Sequence, residues 1–157
     1  MNKTIFIVTI SAMILVSAGY CQACHCGYFN TPLEEFNAVD AVFKGLVLDI
    51  SMCDELDMRD VTILVTGYWK GVSAETVHVF TGTWDGDCGF AFELCEEYLI
   101  YALDLIHEGC QGATTGLCSR TTLLWNAEED LAVLGEPLTV PNRSVTWGEV
   151  KSHYKPE

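Results

Sequence analysis

The chain has 157 residues, 50% of them hydrophobic, and a formal net charge of −14 at pH 7. That length suits one domain, able to bury roughly two-thirds of its unfolded surface. The acidity repels phosphates and anionic lipids, which argues against nucleic acid as a partner.

Residues 1–23 read as a secretory signal peptide. Lys3 precedes the apolar run Ile5–Ala18, and Ala23 supplies a small residue at the cut. The run of about 14 residues is too short to cross a bilayer, and no later segment qualifies. Tyr20 ahead of Cys21 makes a poor lipoprotein signal. The expected product is secreted and extracellular, or periplasmic in a bacterial source, with no membrane contact once the signal is removed. Cleavage after Ala23 would make Cys24 the first residue, in the run Cys24-His25-Cys26. A half-cystine in that place carries a free α-amine beside its own carbonyl. Held still by a disulfide, the two atoms form a chelating fork.

Eight cysteines in an exported chain imply disulfides. Cys21 leaves with the signal, and seven remain, at 24, 26, 53, 88, 95, 110 and 118. Seven is odd, so at least one thiol is left over, and spacing alone does not give the connectivity.

Thr31-Pro32-Leu33-Glu34 has the form of a capping box with proline at the first helical position, so a short helix follows. Val39–Ile50 is rich in β-branched and aromatic residues and reads as a first strand, with Gly45 marking a bulge or bend. Asp60–Trp69 and Thr76–Thr81 alternate with period two and read as the second and third strands. Gly82–Gly89 is turn-rich and reads as a loop. Tyr98–Leu105 is a fourth strand, Gly109–Gly116 another loop, and Leu117–Leu124 a fifth strand. Asn126-Ala127-Glu128-Glu129 opens a second helix with a capping pattern. Leu131 and Leu134 share one face, and Gly135 closes it. The expected organisation is a signal over 1–23, one domain over 24–137 and a C-terminal tail over 138–157. Five strands, the first long and bent, predict a mainly β fold: a five-stranded OB-fold Greek-key barrel with short flanking helices, stapled by disulfides. The strand pattern alone also fits a sandwich.

No catalytic set emerges. His25, His78, His107 and His153 lack metalloprotease spacing, and no Ser-His-Asp arrangement can be assigned. Asp85 and Asp87 are not followed by a ligand-spaced calcium set. The chain is therefore expected not to be an enzyme, to need no cofactor and to hold no metal in its free form. Asn142-Arg143-Ser144 would be a glycosylation acceptor in a eukaryotic secretory pathway.

Several segments together resemble the N-terminal, netrin-like domain of the tissue inhibitors of metalloproteinases. Cys24-His25-Cys26 is similar to that family's Cys-X-Cys start behind a signal. Ala41-Val42-Phe43-Lys44-Gly45 resembles its first barrel strand, and Tyr68-Trp69-Lys70-Gly71 its Tyr-Lys-Gly turn. Cys88-Gly89-Phe90, Glu97-Tyr98-Leu99-Ile100 and Cys118-Ser119 resemble later pieces. The likeness covers Cys24 to about Gly135.

The resemblance implies bridges Cys24–Cys88 and Cys26–Cys118. The family's third bridge has no counterpart here. Cys95–Cys110 is read instead as a local pair that leaves Cys53 over. The resemblance also implies the function: a secreted inhibitor of zinc metalloproteases that chelates the target's zinc through the Cys24 amine and carbonyl. His25, Cys26 and Gly27 would form the inhibitory ridge, with Thr83, Trp84, Asp85 and Asp87 as the flanking loop. His25 stands where the family usually has Thr or Ser, and Gly27-Tyr28 where it has Val-Pro. The alternative is a non-inhibitory extracellular netrin-like binding or matrix-associated module. A third reading is a secreted structural protein cross-linked through the leftover cysteine.

Overall fold

The computed structural model describes residues 24, 26, 30–83, 87–107 and 109–140. Residues 1–23, His25, Gly27, Trp84, Asp85 and the tail beyond 140 lie outside the described residues. Helix α1 (Pro32–Ala38) opens the described fold, followed by β1 (Ala41–Cys53), β2 (Met58–Lys70) and β3 (Thr76–Thr81). Then come β4 (Glu97–His107), β5 (Cys110–Thr114), β6 (Thr122–Leu123), a 3₁₀ turn at Leu124–Asn126 and helix α2 (Glu128–Leu134).

Five strands close on themselves in the order β1-β2-β3-β5-β4, and β4 pairs back onto β1. All these pairings are antiparallel except β3 with β5. Strand β6 adds to the side of β4. Closure removes the free edges that an open sheet would expose.

The alternation of each strand sorts its side chains between two cores. Phe43, Val47, Val61, Ile63, Val79, Tyr98 and Ile100 fill the ring. The residues between them face the other way. Val42, Leu99 and Tyr101 pack outside the ring with Val39 and Ala127, under Phe36 of α1 and Leu131 and Leu134 of α2. This accounts for the unbroken apolar run at the start of β4: Tyr98 to Ala102 is buried on both faces.

The first helix forms as its capping box predicts. Thr31 accepts from the Glu34 backbone, and the Glu34 carboxylate accepts from the Thr31 N–H at 2.8 Å. Gly45 sits at a register shift between β1 and β2. A side chain there would press on the Ile63 methyl and the Leu64 carbonyl.

Three expectations are corrected. The fifth strand of the ring is β5 (Cys110–Thr114), inside the stretch read as a loop. Leu117–Leu124 pairs with β4 only at Thr122–Leu123. Cys-Gln-Gly-Ala-Thr carries no apolar alternation. It is a strand because β4 offers it five partners, from Leu103 to His107, and because Gly112 lets the backbone approach the His78 carbonyl. Second, Asn126 does not cap the second helix. It ends the 3₁₀ turn, and buried Ala127 takes the cap position without a side-chain bond. Third, Cys95 and Cys110 are not paired. They flank β4, whose 11 residues hold them at opposite ends. At about 3.3 Å per residue that span far exceeds the ~7 Å Cα limit for a disulfide. Cys110 is bonded to Cys53 instead, and Cys95 carries an exposed thiol with no disulfide partner among the described residues.

The chain also stays packed past residue 137. Leu138 exchanges two backbone hydrogen bonds with Tyr68, at 2.7 and 2.9 Å, and Val140 packs against the ring core.

Candidate functional site

Two disulfides fix alternate residues of the N-terminal segment to the barrel. Cys24 is bonded to Cys88, with Cα atoms 5.5 Å apart, and Cys26 to Cys118, at 5.2 Å. The sequence separations are 64 and 92 residues. Loops of that length correspond to about 4 kcal/mol of stabilisation each in the chain-entropy model.

The two anchor loops touch one another. The Leu117 N–H donates to the Cys88 carbonyl at 2.7 Å, and Gly116 lies so close that a Cβ would stand 2.9 Å from the same oxygen. Cys88 itself holds a positive φ of 61°, a conformation rare for residues other than glycine. The loop before it is closed by Asp87. Its carboxylate accepts from the Thr83 N–H at 2.7 Å, the Thr83 hydroxyl at 3.3 Å and the Gly89 N–H at 3.2 Å. Of the predicted flanking-loop residues, Thr83 and Asp87 are thus brought together. Trp84 and Asp85 lie outside the described residues, as do His25 and Gly27 of the predicted ridge.

Beside these loops runs an open groove of about 580 Å³. Leu56, Met58, Leu103 and Leu117 give it apolar walls, and Asp57 and Asp87 stand among its lining. Leu103 and Leu117 are about half exposed.

Behind the Cys118 loop lies a polar network that sequence reading missed. Asp130, 4% exposed, accepts from the Arg120 Nε at 2.7 Å, the Arg120 Nη2 at 2.7 Å and the Tyr101 hydroxyl at 2.7 Å. The third arm of Arg120, Nη1, donates to the Asn30 carbonyl at 2.9 Å. Asn30 in turn donates through Nδ2 to the buried Glu35 carboxylate at 2.6 Å. The Thr115 hydroxyl lies 2.8 Å from those of Ser119 and Thr121, and the Thr115 and Thr121 hydroxyls lie 2.9 and 3.2 Å from the Tyr101 carbonyl, which each can reach as donor in turn. Burial alone would raise the Asp130 carboxyl, but the Arg120 fork and the Tyr101 hydroxyl outweigh it and hold it below the ordinary range. Burial, then the neighbouring Asp130 carboxylate, pushes the Tyr101 phenol well up, so it stays a donor. Nothing in the local sequence marks this network. An arginine two residues after a cysteine and an aspartate in a helix's first turn are common.

Cys53, Glu55 and Cys110 bring three donor atoms within 4.8 Å of one another. Bonded to each other, the two sulfurs are not available as thiolate ligands. His78 sits on the outer face of β3 with its Nδ1 2.9 Å from Asp60, an ion pair when the ring is protonated. No helix of the described residues is long and apolar enough to cross a membrane. The chain matches no protein-family model and no curated protein.

Proposed function

We propose that this protein is an exported inhibitor of zinc metalloproteases, built on an OB-type barrel, that offers the Cys24 α-amine and carbonyl to the target's zinc. The ring order β1-β2-β3-β5-β4 supports the OB reading. The observation that carries the functional reading is the double clamp. Two alternate residues of one segment are bonded to two loops that are hydrogen-bonded to each other.

A catalytic zinc keeps three protein ligands and one position open to water or substrate. An amine lone pair and the carbonyl oxygen of the same residue can fill the open coordination together. Because the clamp has already fixed that residue, little conformational freedom is lost on docking, and affinity gains accordingly. The groove walls at Leu103 and Leu117 give the protease surface an apolar strip to cover. His25 would then enter the specificity pocket beside the zinc.

The test is to add one alanine ahead of Cys24. The extension converts the amine into an amide nitrogen, which cannot bind zinc, while the barrel is untouched. Inhibition is expected to vanish with the thermal midpoint unchanged. Equal inhibition by the extended protein removes the chelation mechanism. The amine must also be unprotonated to bind, and free α-amino groups titrate at about 7.7–8.0. Inhibition, corrected for the protease's own pH profile, should weaken as pH falls through the amine's pKa.

A further inference from the structure

The Cys118 loop grips the N-terminal segment twice. Its sulfur holds Cys26, and two residues later the Arg120 Nη1 holds the Asn30 carbonyl at 2.9 Å. The second grip is itself held by further contacts. The Nε and Nη2 nitrogens of the guanidinium form a two-point fork on buried Asp130, which also accepts from the Tyr101 hydroxyl, and Nη2 reaches Glu129 at 3.3 Å as well. The side-chain hydroxyls of Thr115 and Thr121, on either side of the Cys118 loop, reach the Tyr101 carbonyl. From Asn30 the chain passes directly into Thr31, the cap of α1, and Asn30 is also tied to Glu35 within that helix.

A disulfide leaves rotation about the bonds on either side of its sulfurs. Two disulfides at residues 24 and 26 hold the segment's start, and the Arg120–Asn30 hydrogen bond holds its last residue ahead of α1. Arginine suits that task. Its planar fork can satisfy a carboxylate with one edge and a carbonyl with the remaining nitrogen, whereas a lysine ammonium is a single point.

We propose that Arg120, locked by Asp130, is a positioning residue that anchors the far end of the N-terminal segment and thereby aims the Cys24 amine. The anchoring stands on the contacts alone. The aiming rests on the inhibitory reading above.

The experiment compares the native protein with Arg120→Lys, disulfides intact, by hydrogen exchange and by inhibition of a zinc endopeptidase. Arg120→Lys keeps the charge and loses the fork. Exchange at Asn30 and Thr31 should quicken by about tenfold, the loss of one charge-assisted bond, while β2 and β4 stay protected. The inhibition constant should rise by a similar factor. Exchange unchanged at the segment overturns the anchoring. Exchange quickened equally in the barrel strands also overturns it, because the pair would then be an ordinary structural brace. Local loosening with an unchanged inhibition constant overturns the aiming. A native protein that does not inhibit at all sinks the inhibitory reading, and the exchange data still decide the anchoring. Should Arg120→Lys fail to fold, Tyr101→Phe removes only one hydroxyl from Asp130. It should give a smaller change confined to the same segment, and a change spread over the strands, or none at the segment, counts against the proposal.

Discussion

Asp130 is where burial and pairing oppose each other most directly. Its carboxyl is almost fully covered, yet two Arg120 nitrogens and the Tyr101 hydroxyl favour its charged form. A carboxyl whose pKa is lowered on folding contributes stability above its unfolded value, about 3.9 for aspartate. That contribution is lost as pH falls through the lower folded value. Asp130→Asn should therefore cost about 2 kcal/mol near neutrality, because it leaves the partly buried guanidinium with only the longer, exposed pair to Glu129 at 3.3 Å. It should also flatten the acid limb of the stability profile, measured by urea unfolding from pH 7 to pH 2. Gly45 is the opposite case, a single residue whose role could be read in advance. A glycine inside a β-branched strand signals a bulge, and a register shift is found there. Gly45→Ala would set a methyl against Ile63 and the Leu64 carbonyl, and overpacking of that kind costs about 1–3 kcal/mol. A lowered thermal midpoint with an unchanged fold would bear this out. Gly45 could be read because its signal is local, whereas Arg120 and Asp130 are ten positions apart and meet only after α2 has docked.

Among the elements, those with strong local signals formed as the sequence predicts. Helix α1 has its reciprocal cap, and β3 spans the six residues with period-two alternation. Thr31→Ala should cost about 1 kcal/mol, the usual worth of such a cap, read as a shift in urea midpoint. Strand β5 is the failure, and an instructive one. Cys110-Gln-Gly-Ala-Thr114 has no pattern that favours a strand, and its partners lie on β4 and β3. Its position is pinned by the Cys53–Cys110 bond, which joins the end of β1 to the start of β5 across a separation of 57 residues. Replacing both cysteines by serine should lower stability by about 4 kcal/mol in the chain-entropy model. Peptide mapping without reduction should recover Cys53 joined to Cys110 and Cys95 alone. A Cys95–Cys110 peptide would contradict this.

For the molecule as a whole, what matters is that a closed ring presents one end to the N-terminal segment. The loops carrying Cys88 and Cys118 meet there, and the chain's first described residues are bonded to them. Reducing these bonds should release the start of the segment, up to its Arg120 anchor at Asn30, without opening the ring, whose core of Phe43, Ile63, Tyr98 and Ile100 owes nothing to those sulfurs. If the protein inhibits as proposed, the expected outcome is loss of that inhibition in Cys88→Ser with far-ultraviolet circular dichroism retained. Composition, the period of each strand and the cap residues were enough to specify a mainly β domain, its first four strands and its first helix. These depend on neighbours a few residues apart, and such preferences are written along the chain. Which strand closes the ring, which cysteine takes Cys110 and which carboxylate takes Arg120 depend on groups far apart in sequence. Their meeting is set by how β4 is buried on both faces, and no local pattern encodes that packing.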